Sequence, residues 1–163
     1  MPEVEQTLYW DANVFLNYLN GVPEHMPDLD ALLAAGRRGE VLILTSTISI
    51  VEVAFAASEQ MGGPMDDDRE AVIDDLWMPQ SPIRLVELSP VVARSARSLM
   101  RGARARGWSL KPNDAIHLAT ARNMGVAKFN TCEKVALDKY GALCGFAVEA
   151  PRAGQRQLSF TKE

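Results

Sequence analysis

The 163-residue chain contains only two cysteines, Cys132 and Cys144, and only two histidines, His25 and His117. The cysteines form neither a metal-ligand pair nor a redox motif, so two reduced, packed thiols are expected. So little thiol and imidazole argues against a zinc site. No apolar stretch approaches the roughly 20 residues of a membrane span. The opening Met-Pro-Glu-Val-Glu-Gln has no basic start followed by an apolar run, so a cytoplasmic protein without membrane contact is expected. A glycine-rich phosphate loop is missing, as is any Ser-His-Asp or Cys-His order suited to covalent catalysis. Positive charge is not in excess either. The 17 Lys+Arg stand against 21 Asp+Glu, a net charge of −4. Taken as an average, that argues against a protein that holds nucleic acid by bulk charge.

What is present, 47% hydrophobic and 23% charged residues, suits one ordinary globular domain. It is long enough to bury a core without disulfides or metal staples. The expected domain runs over 1–150, followed by a polar tail or dimer arm over 151–163. Strands are expected at 7–10, 41–44, 83–88, 126–130 and 145–149. Helices are expected at 13–19, 27–38, 47–60, 69–77, 89–106, 112–124 and 133–140. The 47–60 helix is so apolar that burial on most sides is expected. Alternating strands and helices predict an α/β fold around a mostly parallel five-stranded sheet. Such sheets place ligands beyond the carboxyl ends of their strands.

Four acids fall at or near those ends. Asp11 closes the first strand and is equally suited to cap the helix after it. Glu52 lies among Ile48, Ile50, Val51, Val53 and Phe55, where a carboxylate is costly unless it is paired or binds a metal. Asp114 opens a helix, where an acid also favours the positive end of the dipole. Glu133 follows Thr131, the two matching a capping residue and a first-turn acid. Taken together on one sheet edge, the four would repel one another. A hard divalent cation resolves that repulsion, and oxygen donors suit Mg²⁺ or Mn²⁺. Such a site fits metal-dependent phosphodiester hydrolysis. A phosphatase with Asp11 as nucleophile is disfavoured, because Asp11-Ala12-Asn13 lacks the second Asp of such enzymes.

The segments Leu8–Phe15, Ser46 with Ser49–Val53, Leu110–Ala121 and Val126–Glu133 resemble, in order, those of the PIN-domain ribonucleases. The nearest flavour is the VapC-type toxin of toxin–antitoxin pairs. The resemblance implies a three-layer α/β/α sandwich and Mg²⁺- or Mn²⁺-dependent cleavage of RNA. It also implies a homodimer and a cognate antitoxin that covers the site. Asp11, Glu52 and Asp114 match the family's first three acids, and Asn13 and Ser46 fall at small polar positions near the site. At the fourth acid the family usually carries Asp and this chain has Glu133, with Asp138 as a fallback. The alternative implied by that departure is a non-catalytic PIN-like module that binds RNA or protein.

The charge is unevenly spread. Residues 94–111 hold Arg94, Arg97, Arg101, Arg104, Arg106 and Lys111 and no acid. On a helix, the first four of these fall within about 80° of arc, opposite Val92, Ala96, Leu99 and Ala103. Arginine suits phosphate, so Arg97, Arg101, Arg104 and Lys111 are candidate RNA contacts. An ordinary solvated face is the alternative. Trp108 is either a half-buried core residue or a platform for a base. His117 is either packed in its helix or a substrate contact. Residues 59–75 carry seven acids against Arg69 and look like a mobile, solvated insert that limits substrate access or faces a basic partner.

Overall fold

Along β1 the side chains alternate between two cores. Leu8 and Trp10 enter one hydrophobic cluster and Tyr9 the other, because successive side chains of a strand point to opposite faces. The adjacent strand repeats the pattern, with Val41 and Ile43 on one side and Leu44 on the other. A sheet with two buried faces needs a helical layer on each. The computed structural model, which describes residues 6–133 and 137–154, has that form.

The elements are β1 (Gln6–Trp10), α1 (Ala12–Leu19), α2 (Met26–Arg37), β2 (Val41–Ser46), α3 (Ile48–Glu52), α4 (Ala57–Gln60), α5 (Asp67–Trp77), β3 (Ile83–Val86), α6 (Pro90–Ala105), α7 (Pro112–Asn123), β4 (Lys128–Asn130), α8 (Asp138–Cys144) and β5 (Ala147–Glu149). The five strands are ordered β3-β2-β1-β4-β5, and every pairing is parallel. Residues of α1, α2 and α5 pack on one face, and residues of α6, α7 and α8 on the other. The expected α/β architecture is therefore the observed one.

The strand order reverses between β1 and β4. Chain order runs outward from β1 through β2 to β3, then restarts on the far side of β1. A crevice opens beyond the strand ends at such a reversal. Asp11 and Thr131 are the residues that leave β1 and β4 at that point.

Several expectations need correction. The 47–60 helix is two short helices, because the chain leaves helical geometry at Val53 (φ −101°, ψ 47°). The break lets Val53 and Ala56 both enter the core. Ala56 N–H then donates to Glu59 Oε1 at 2.9 Å, which starts α4. Nor is this stretch buried on most sides, since Val51 is 77% exposed and Ile50 and Phe55 are exposed too. Apolar composition alone does not show which face a short helix buries. The acidic insert, finally, is not wholly solvated. Asp66 caps α5 through Asp68 N–H and Arg69 N–H, Ile73 and Leu76 are buried, and the Arg69 guanidinium donates to Leu19 O at 2.9 Å.

The helix expected at 133–140 runs instead over Asp138–Cys144, and residues 134–136 lie outside the described residues. Most of the expected tail, 155–163, also lies outside them. Cys132 and Cys144 are free thiols. Among the described residues, no helix is long and apolar enough to cross a membrane.

Candidate active site

Asp11 is the first residue after β1 and the N-cap of α1. Its Oδ1 accepts from Val14 N–H at 3.3 Å. The sheet edge leaves it only 7% exposed. Burial, opposed by the Thr131 hydroxyl, His117 and Val14 N–H and reinforced by the Asp114 charge, pushes its carboxyl up to about 6. Asp114 lies in the first turn of α7, which Pro112 opens. Burial raises its carboxyl as well, and the charges of Glu133 and Glu52 add to the rise, while His117 and Lys111 oppose it. Glu133 is exposed beyond β4. Its backbone N–H is held by Thr131 Oγ1 at 3.2 Å, and its Oε1 lies 3.5 Å from Asn13 Nδ2.

Glu52, the last residue of α3, is held through both oxygens. Asn113 Nδ2 donates to Oε1 at 3.0 Å, and His117 Nε2 lies 2.6 Å from Oε2. A carboxylate only accepts, so Nε2 carries the hydrogen of that bond. In the neutral ring Nδ1 is then an acceptor, and it meets the buried Tyr9 hydroxyl at 2.7 Å. The Tyr9 oxygen in turn accepts from Ser46 N–H at 3.0 Å. A chain of hydrogen bonds thus runs from the end of β2 through β1 and α7 to Glu52.

These side chains line one open cleft of about 310 Å³, bounded by Asp11, Asn13, Leu16, Glu52, Asp114, His117 and Glu133. All four acids expected at the strand ends meet there, together with Asn13. Ser46 does not line the cleft. It is fully buried, and its Oγ accepts from Ile48 N–H at 3.3 Å. Lys111 precedes α7, close enough for its charge to act on Asp114. Arg94, Arg97, Arg101 and Arg104 are exposed on α6, opposite the buried Val92, Ala96, Leu99 and Ala103. None of the four forms an ion pair among the described residues.

Sequence reasoning missed the roles of His117 and Asn113 as partners of Glu52. The available signal was the spacing of Asn113, Asp114 and His117, which puts all three on the first turn of α7 and the next. His117 is indeed buried, yet its ring reaches the cleft.

The model of the family described as PIN domain matches residues 8–143. The chain belongs to the PIN-domain family. This PIN domain shares its fold with VapBC2 from Rickettsia felis bound to a DNA fragment from its promoter. Identity is 12% and the TM-score 0.62, over 88% of this chain and 98% of that one. FitAcB from Neisseria gonorrhoeae is 17% identical with a TM-score of 0.62, over 88% and 97% of the two chains. VapC20 from Mycobacterium tuberculosis, a toxin that cleaves the sarcin-ricin loop, is 13% identical with a TM-score of 0.61, over 86% and 96%. At these identities the likeness establishes the fold. No curated protein sequence matches the chain.

The donor chemistry of the PIN cleft fits a hard divalent cation. Burial, and with it the charge of neighbouring acids, raises the proton affinity of Asp11 and Asp114, and a cation bound beside them would offset that repulsion. Among the described residues no three His, Cys, Asp or Glu side chains form a ready cage for a metal, so the acids line an open cleft rather than a closed site.

Proposed function

We propose that this PIN domain is a metal-dependent endoribonuclease and the toxin of a toxin–antitoxin pair. The observation that carries the reading is the meeting of Asp11, Glu52, Asp114 and Glu133 in one cleft at the reversal of strand order. The family match and the toxin–antitoxin neighbours support it. Asp11, Glu52, Asp114 and Glu133 would hold Mg²⁺ or Mn²⁺. When bound, such a cation lowers the pKa of a water and offsets charge on a phosphate.

The chain's own residues set up the rest. His117 and Asn113 hold both oxygens of Glu52, so its carboxylate keeps one orientation as substrate enters. Asn13, beside Glu133, offers an amide to a ribose or phosphate oxygen. Lys111, whose charge reaches Asp114, and Arg97, Arg101 and Arg104, which form no ion pair among the described residues, would give the RNA backbone cationic contacts outside the acidic cleft. A homodimer, a cytoplasmic location and a cognate antitoxin belong to the same proposal. The limits 1–150 for the nuclease domain, with the remainder as tail or arm, also remain part of it.

The test is incubation of purified protein with RNA in Mg²⁺ or Mn²⁺, with and without EDTA. Metal-dependent endonucleolytic products are expected. RNA binding without cleavage in either metal would favour a non-catalytic PIN-like binding module instead.

A further inference from the structure

Apart from the acidic cleft, the arginine-bearing face holds a second cavity of about 250 Å³. It is lined by Met100, Arg101 and Arg104 of α6 and by Trp108, Ser109 and Leu110 of the loop into α7. Trp108 is only partly buried. Its ring stands edge-on to Tyr140, with centroids 5.4 Å apart and planes at 89°. The Tyr140 hydroxyl fixes the loop by donating to Ser109 O at 3.1 Å. The indole is therefore packed against the Tyr140 ring. Among the described residues, Lys139 Nζ lies 5.3 Å and the Arg106 guanidinium 5.8 Å from the ring centroid.

A partly exposed aromatic ring amid cations is the composition of a single-strand nucleic-acid platform. The magnitudes favour exchange of the cations for a base. An exposed cation–π contact is weaker than the stacking of a base on an aromatic side chain. Lys139 and Arg106 sit on flexible stems and lose little by moving aside, since the displaced charges can turn to the flanking phosphates. The cavity is also near the acids. Only the loop to Pro112 separates Trp108 from the helix that carries Asp114. Burial, and after it the Asp114 charge, raises the Tyr140 hydroxyl, so that charge reaches the residue that props up Trp108.

We propose that this cavity is a base-binding subsite, in which an unpaired nucleobase of a single-stranded RNA stacks on Trp108 while Arg101, Arg104 and Lys139 hold its adjoining phosphates. The proposal rests on the ribonuclease reading and deepens it by naming the residues of this chain that receive an unpaired base.

The experiment measures binding of a short mixed-sequence single-stranded RNA in EDTA, beside a strand of the same length whose ribose-phosphate backbone carries no bases. Trp108→Leu should weaken binding of the mixed RNA about tenfold, and Trp108→Phe by much less, because a ring remains. The base-free strand should bind wild type and Trp108→Leu equally, and the salt slope should not change with either variant, because the phosphate contacts persist. Equal binding of the mixed RNA by wild type and Trp108→Leu would overturn the subsite. So would an equal loss on the base-free strand. Should Trp108→Leu fail to fold, RNA should still quench part of the wild-type tryptophan emission, and that part should be missing in Trp108→Phe. No such difference would also overturn the proposal. Wild-type cleavage in Mn²⁺ separates the two levels. Cleavage without dependence on Trp108 sinks the subsite alone, whereas neither binding nor cleavage sinks the ribonuclease reading with it.

Discussion

Replacing Asp11 with Asn should make the metal-free protein more stable at neutral pH. The amide keeps an oxygen at the position that caps Val14 N–H, so the cap survives. What disappears is a buried charge. Folding moves this carboxyl from 3.8 to about 6, which at 1.4 kcal/mol per tenfold change is a cost of about 3 kcal/mol at pH 7. The direction follows from proton binding. The folded carboxyl holds its proton more tightly than the unfolded one, so the penalty is absent below the unfolded value, grows as pH rises from about 4 to about 6, and is complete above that. In a domain of this size the substitution should raise Tm in EDTA by roughly 6–12 °C at pH 7, and the gain should shrink toward zero near pH 4. Thermal unfolding followed by circular dichroism across that range is the assay. Adding Mg²⁺ or Mn²⁺ should raise the wild-type Tm and leave the variant nearly unmoved, because a ligand of the folded state stabilises only a protein that binds it. A lower Tm for Asp11→Asn in EDTA at pH 7, or a gain that persists at pH 4, would refute the buried-charge reasoning.

Two other variants probe the surroundings of the acids. His117→Phe removes the 2.6 Å partner of Glu52 and the acceptor of the Tyr9 hydroxyl. It should cost about 1–3 kcal/mol of stability and lower kcat with little change in KM, as read from denaturant unfolding and cleavage kinetics. Unchanged kcat would show that holding Glu52 does not matter to the reaction. Substituting both Arg97 and Arg101 with Ala should reduce the salt slope of RNA binding by about 1.4, near 0.7 for each lost phosphate contact on a single strand. An unchanged slope would leave the stripe an ordinary solvated face.

The layers and the sheet were legible because strands with two buried faces read as apolar runs, as in Val41–Leu44, and because alternating elements admit few topologies. The four acids were legible for a related reason, since a parallel sheet brings its strand ends together: Asp11 and Glu133 follow β1 and β4, Glu52 ends the short helix after β2, and Asp114 opens the helix that leads into β4. Less could be read where tertiary context decides. Nothing local announces the break at Val53, which serves the insertion of Val53 and Ala56 into one core. His117 looked like a packing residue because its partners, Tyr9 and Glu52, are 108 and 65 positions away. The net charge of −4 hid both the acidic cleft and the arginine face, which a folded chain separates and a sum cannot.

The central claim is that the acidic cleft hydrolyses RNA with a divalent cation. Its most direct measurement is the rate of endonucleolytic RNA cleavage in Mn²⁺ by wild type and by Asp114→Asn, both shown to be folded. Loss of a metal-holding carboxylate should slow cleavage by at least about a hundredfold, and EDTA should abolish the wild-type rate. Cleavage by Asp114→Asn at the wild-type rate, or a wild-type rate indifferent to EDTA, would contradict the account.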